Sequence, residues 1–334
     1  MGKIAVFETD VWQSPELIDD MKKKLEPQNT VVLFKDVLKE GDLDKIRDIE
    51  TLIVFIKSKV TKEVISKLPK LKFVATMSTG FDHIDLAACR ERNIMVSNVP
   101  SYGENSVAEH AFALIVTIAR KLSEAVARVK NGKFETKGLC GFDLKDKTIG
   151  VIGTGHIGLF SIKIAQGYSM KVIAYDAFPR KDAKELGFEY ASLDDLYQQS
   201  DIITIHVPLL PSTKHMINQG SVEKMKKGVV LINTSRGGVV DNDALLYGLE
   251  NRIIGAAGLD VLDNEECLME GNKCDPKISE KLKRLVAMKN VYITPHNAFN
   301  TKEAIGRIIE TTLQNVKGFA ENKLVNIAKP AGAK

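Results

Sequence analysis

Three short segments carry the residue types of a reaction centre: NTSRGG at 233–238, GLDVLDNEE at 258–266 and TPHNAF at 294–299. They offer Arg236, an acidic residue near position 265 and His296. A guanidinium grips a carboxylate through two parallel hydrogen bonds, an imidazole donates a proton, and a carboxylate beside the imidazole keeps it protonated near neutral pH. Together they suit hydride chemistry on a carbonyl that stands next to a carboxylate. Taken singly, a histidine at a strand end is more often a structural donor, and an arginine in a glycine turn more often caps a helix. The three are grouped by position, because each segment begins where a strand-like run ends, and open α/β sheets bind ligands beyond the carboxyl ends of their strands.

A fourth segment says what would deliver the hydride. In GVIGTGHIG, Gly153, Gly155 and Gly158 follow the run TIGVI and precede a helical stretch reaching Gly167, and Asp176 ends the next strand-like run. Such a strand, turn and helix cradle a dinucleotide: a tight turn, close approach of backbone to pyrophosphate, and a helix N-terminus facing the phosphates. Asp176 accepts from ribose hydroxyls and repels a 2′-phosphate, so the expected cofactor is NAD rather than NADP. The competing reading is a glycine-rich turn that only packs helix on sheet.

These segments need a scaffold, and the rest of the chain reads as one. Eleven β-rich runs, from KIAVFET near the start to VYIT near the end, alternate with helical stretches. Continuous apolar strands separated by amphipathic segments indicate parallel sheets covered on both faces, and eleven strands are too many for one simple doubly wound sheet. Two α/β domains are therefore expected, with the break near residues 100–125. There SVAEHAFALIVTIARKL is apolar nearly all round and opens with a capping-box pattern, Ser106 to Glu109, so a helix buried between the domains or against another subunit is expected.

Composition excludes several classes. With 334 residues, 44% of them apolar, the chain can build two cores. Its 47 basic and 43 acidic residues give no global field for a polyanion, so nucleic acid is not an expected partner. The apolar stretch at 111–119 is too short for a bilayer and the first residues lack a signal-peptide pattern, so a cytoplasmic protein is expected. Cys89, Cys140, Cys267 and Cys274 show no zinc spacing and read as reduced thiols.

STGFDHIDL, PSYGENSVAEHA, GVIGTGHIG with Asp176, HVP, NTSRGGVVD, GLDV and TPHNAF occur in the order in which the D-isomer-specific 2-hydroxyacid dehydrogenases carry such motifs, and over essentially its whole length the sequence resembles that family. The resemblance implies that Arg236 binds the substrate carboxylate and keto oxygen, His296 is the acid/base and Glu265, rather than Glu266, supports the histidine. It implies NAD contacts at His156, Ile157, Val207, Pro208, Thr213, Thr234, Ser235, Arg236 and Asp260, beside the fingerprint glycines. The implied architecture is two Rossmann-like doubly wound parallel-sheet domains with a cleft between them: a discontinuous substrate domain, 1–100 plus 299–334, and an NAD-binding domain, 101–298. Substrate contacts are expected from the backbone N–H groups of Thr79 and Gly80, an anion-binding turn, and from Tyr102 and Phe299, aromatics that would restrict the pocket to a short substrate. Lys57, beyond a first-domain strand, is either a solvated lysine or a partner for a second anionic group.

The expected activity is that of an NAD-dependent dehydrogenase of a D-2-hydroxy acid, interconverting pyruvate and D-lactate, in a homodimer. Reduction of glyoxylate, hydroxypyruvate or another 2-ketoacid is the near alternative. A corepressor-like protein that senses NAD without catalysis is the distant one, and the chain lacks an obvious disordered tail for recruiting partners.

Overall fold

The computed structural model describes residues 2–12, 14–268 and 274–328. Contacts divide the chain into two compact units, Met1–Tyr102 with Asn300–Lys334, and Gly103–Phe299. In unit 1 the elements run β1 (Gly2–Val6), α1 (Pro15–Leu25), β2 (Asn29–Leu33), β3 (Thr51–Val54), α2 (Lys62–Lys67), β4 (Phe73–Thr76), α3 (Leu86–Glu91) and β5 (Met95–Ser97). In unit 2 they run α4 (Glu104–Arg120), α5 (Leu122–Lys130), β6 (Thr148–Ile152), α6 (His156–Gly167), β7 (Lys171–Tyr175), β8 (Glu189–Tyr190), α7 (Leu193–Gln199), β9 (Ile202–Ile205), α8 (Gln219–Glu223), β10 (Val229–Asn233), α9 (Asn242–Glu250), β11 (Ile254–Leu259), α10 (Pro276–Ala287) and β12 (Val291–Ile293). The last helix, α11 (Lys302–Ala320), returns to unit 1.

Each unit holds one sheet, five strands ordered β2-β1-β3-β4-β5 and seven ordered β12-β11-β10-β9-β6-β7-β8, and all the paired strands are parallel. All eleven apolar runs of the sequence are strands. They are continuous because a parallel strand covered on both faces buries every residue, as β3, β4, β9 and β10 do. In each sheet the winding direction reverses at one place, beside β1 and β3 in unit 1 and beside β6 and β9 in unit 2.

Three expectations are corrected. The all-round apolar helix starts at Glu104 with Gly103 as its N-cap, so Ser106 lies inside the helix, buried, rather than at its cap. Its apolar side chains are covered by unit 2 itself: Phe112, Leu114, Ile115 and Ile118 join Ile149, Val151 and Ile232 in one core. Gly258 on β11 allows that approach, since a Cβ there would stand 3.0 Å from that of Leu114. Finally, Cys267 and Cys274 are not free thiols but a disulfide, with Cα atoms 5.5 Å apart. A 3-10 turn over Glu265–Leu268 curls Cys267 back toward Cys274, which stands just before Asp275, the N-cap of α10. Cys89 and Cys140 remain thiols, one buried and one exposed. Among the described residues no helix is long and apolar enough to cross a membrane.

Candidate active site

The fingerprint lies where β6 meets α6. Gly153 has φ +95, and a Cβ there would fall 2.7 Å from the carbonyl oxygen of His206, so only glycine fits the turn. A Cβ on Gly158 would fall 2.0 Å from the Gly153 carbonyl oxygen, which ties the start of α6 to the strand. Gly155 differs, because nothing lies within 4 Å of the Cβ it lacks. Its missing side chain leaves room in front of the α6 N-terminus, where His156 and Ile157 are the first helical residues. The open cradle, the helix end and the buried Thr234 hydroxyl, which has no hydrogen-bond partner, fit a bound dinucleotide.

Asp176 follows β7, and its carboxylate is already oriented. Oδ2 accepts from the Thr154 N–H at 2.7 Å and the Thr154 hydroxyl at 3.0 Å, and Oδ1 accepts from the Phe178 N–H at 2.9 Å. Tyr190 completes the group through its hydroxyl, 2.7 Å from Thr154 Oγ1. Sequence reasoning passed over Thr154 and Tyr190, since neither stands at a glycine position of the fingerprint. On the other side of the switch point, Val207 and Pro208 follow β9, and Thr213 holds their loop by donating to the Pro208 carbonyl at 2.6 Å and accepting from the Leu210 N–H at 2.8 Å. His206 is half-buried, with Nε2 2.9 Å from Ser161 Oγ on α6 and 3.0 Å from Thr204 Oγ1 on β9. Burial pushes its pKa down to about 4, so it is a neutral strut between helix and sheet.

Arg236, Asp260, Glu265 and His296 are linked into one assembly. The Asn233 side chain gathers the Arg236 turn, donating to the Arg236 carbonyl and accepting from the N–H and hydroxyl of Ser235. Its carbonyl in turn accepts from the Asp260 N–H at 2.9 Å. Gly237 allows the two loops to touch, since a Cβ there would stand 2.0 Å from the Leu262 carbonyl oxygen. Glu265 uses both oxygens: Oε2 accepts from the Leu262 N–H at 3.0 Å, and Oε1 lies 2.9 Å from His296 Nδ1. That contact leaves Nε2 as the working nitrogen of the ring. His296 itself has φ +53, an uncommon conformation for a residue with a side chain, and its N–H donates to the Asp260 carbonyl at 2.9 Å.

The Asp260 side chain is 1% exposed and shapes the turn that follows β12. Oδ1 accepts from the Thr294 hydroxyl at 2.5 Å and the Asn297 N–H at 2.7 Å, while Oδ2 accepts from the Ala298 N–H at 2.9 Å. Burial alone would raise its pKa, but His110 nearby and the hydrogen bonds from Thr294, Asn297 and Ala298 outweigh it and hold the carboxyl below its usual value. Phe299, the last residue of unit 2, is buried. Thr79, Gly80 and Tyr102 belong to unit 1: Thr79 donates to the Val99 carbonyl at 2.9 Å, the Gly80 carbonyl accepts from Ser78 Oγ at 2.7 Å, and the Tyr102 carbonyl accepts from Arg307. Lys57 is exposed beyond β3.

A seven-stranded wound sheet, a dinucleotide turn and a paired carboxylate and imidazole define an NAD-dependent oxidoreductase. The chain belongs to the D-isomer specific 2-hydroxyacid dehydrogenase family, whose NAD binding domain matches residues 112–298. It is 36% identical to the D-lactate dehydrogenase of Escherichia coli, over 96% of this chain and 98% of that one. A glyoxylate reductase of Thermococcus litoralis is 37% identical over 84% of each chain. Among solved structures, D-lactate dehydrogenase from Aquifex aeolicus, complexed with NAD and lactic acid, superposes with a TM-score of 0.88 at 36% identity, covering 98% of this chain and 100% of that one. The protein thus acts with NAD on the CH–OH group of a 2-hydroxy acid.

Proposed function

We propose that the enzyme interconverts pyruvate and D-lactate in the cytoplasm, with His296 as proton donor, Glu265 as its charge partner and Arg236 as the grip on the substrate carboxylate. The carrying observation is the 2.9 Å contact between His296 Nδ1 and Glu265 Oε1 beyond the carboxyl ends of the strands that bind the cofactor. NADH supplies the hydride when bound. His296 Nε2 gives its proton to the developing alkoxide, and the Glu265 carboxylate stabilises the imidazolium before transfer. Arg236 holds the carboxylate in two parallel hydrogen bonds, which fixes the carbonyl carbon for attack on one face and so sets the hand of the product.

In this reading residues 101–298 form the NAD-binding domain, contacting the cofactor through Gly153, Gly155, His156, Ile157, Gly158, Asp176, Val207, Pro208, Thr213, Thr234, Ser235, Arg236 and Asp260. Residues 1–100 with 299–334 form the substrate domain, and substrate contacts come from Thr79, Gly80, Tyr102 and Phe299. Pyruvate is supported by the similarity to D-lactate dehydrogenases over nearly the full chain. A homodimer belongs to the reading too. Its support is an apolar strip on α5, where Leu122, Val126 and Val129 are 42%, 52% and 52% exposed, rather than α4.

The test is NADH oxidation against a panel of 2-ketoacids, with His296→Ala alongside. Pyruvate should be the best substrate, and the variant should lose roughly 10²- to 10⁴-fold in turnover while binding NADH normally. Preference for glyoxylate or hydroxypyruvate would overturn the substrate, and an active His296→Ala would overturn the mechanism.

A further inference from the structure

His110 lies on α4, far in sequence from the reaction residues, yet it points at the loop that carries them. Its Nε2 is 3.0 Å from Thr294 Oγ1 and 3.5 Å from Asp260 Oδ1. The direction of this chain follows from chemistry. An ionised carboxylate only accepts, so the single hydroxyl hydrogen of Thr294 goes to Asp260 at 2.5 Å. The lone pairs of Thr294 Oγ1 then face His110, whose Nε2 must carry a hydrogen. The relay runs from His110 Nε2–H to the Thr294 hydroxyl and on to Asp260, the acceptor for the N–H groups of Asn297 and Ala298.

What the relay holds is a strained residue. A non-glycine backbone in the left-handed region costs on the order of 1 kcal/mol and persists only where its surroundings over-determine it. His296 is in that region at φ +53, between Thr294 and Asn297, the neighbours that Asp260 clamps. Turned to an ordinary backbone conformation, the imidazole would leave Glu265 Oε1. A histidine that hydrogen-bonds a threonine is usually only a packing contact, but this one ends on the turn that sets the ring.

We infer that His110 is a positioning residue for the proton donor, holding the 294–298 turn through Thr294 and Asp260 so that His296 stays aimed. The inference rests on the reading of His296 as the acid. His110→Ala should lower turnover roughly 10- to 100-fold, the scale of a reacting group misplaced by about 1 Å, with NADH affinity and KM for the ketoacid within about twofold of the parent. His110→Gln, whose amide can still donate to Thr294, should recover most of the loss. Thr294→Val should match His110→Ala, Thr294→Ser should be mild, and the double variant His110→Ala with Thr294→Val should be no worse than either alone.

Full turnover in both His110→Ala and Thr294→Val would overturn the inference, as would additive losses or a fall in NADH affinity that parallels the fall in turnover. Should His110→Ala fail to fold, Thr294→Val compared with Thr294→Ser decides by the same readouts. His296→Ala separates the two levels. If it is active, the reading of the site has failed; if it is inactive while the His110 and Thr294 variants are normal, only the relay has failed.

Discussion

In unit 1 the chain leaves β1 through Phe7 and Glu8; in unit 2 it leaves β6 through Gly153, Thr154 and Gly155. Both exits open on the place where the sheet reverses its winding, the usual site for a ligand. Unit 1 closes that place with its own side chain. Glu8 is 1% exposed, has φ +61, and its carboxylate accepts from the N–H groups of Phe55, Lys57 and Ser58 beyond β3, each at 3.0 Å. Those three donors are the kind of amide cluster that elsewhere holds a phosphate or carboxylate ligand. Unit 2 has no side chain at Gly155 and keeps the corresponding space open. One wound architecture thus yields a crevice closed by Glu8 and one left open at Gly155.

Removing the seal should have the largest effect. Glu8→Ala would strand three amide donors, so unit 1 should lose about 3–5 kcal/mol of stability, while NADH affinity measured on folded protein stays unchanged. Thermal unfolding followed with cofactor titration checks both halves, and a weakened NADH affinity would break the contrast between the units.

Next comes the wall of the receptive crevice. His206 has an ordinary value of 6.5 and is depressed to about 4 in the native fold. Between those values the unfolded chain binds the proton and the native one does not, so stability falls as pH drops through that window. The loss should reach about 3 kcal/mol at pH 4 relative to pH 7. His206→Gln should flatten that part of the stability profile, and an unchanged slope would remove His206 as its cause. The smallest effect should come from partly filling the crevice. Gly155→Ala has free space within the protein and should leave stability unchanged, but it should weaken NADH binding roughly tenfold by blocking backbone approach to the pyrophosphate. Calorimetric titration showing normal affinity would mean that the pyrophosphate does not pass Gly155.

How legible these features were in the sequence depended on range. The parallel strands were legible because burial on both faces writes an unbroken apolar run, whereas β8, two residues long, leaves no such trace. The start of α4 was misread because Ser106 and Glu109 have capping-box spacing while the true N-cap, Gly103, has no side chain to signal it. Reaction residues announced themselves by type at strand ends. Their supports did not: Glu8 meets an amide 47 residues away and His110 meets Thr294 across 184, and no local pattern encodes either distance. The disulfide escaped for a different reason: its cysteines stand only seven residues apart, and whether they meet depends on how the turn at Glu265–Leu268 is placed against the start of α10.

The tail of the chain belongs to the same unit as its beginning. Phe319 on α11 stacks on Phe73 with ring centroids 4.5 Å apart, Asn315 donates to the Asn98 carbonyl at 2.8 Å, and Ile327 pairs with Ser97 on β5. During synthesis residues 1–102 emerge first and then wait while 103–299 are made. At about 5–20 residues per second that interval lasts roughly 10–40 s. Throughout it the first sheet lacks the helix that covers Phe73, while unit 2 emerges as one continuous stretch and can fold as it appears. The nascent protein therefore has its cofactor-binding unit made before its first unit is finished, and α11 can close that first unit only after residue 299 has been made.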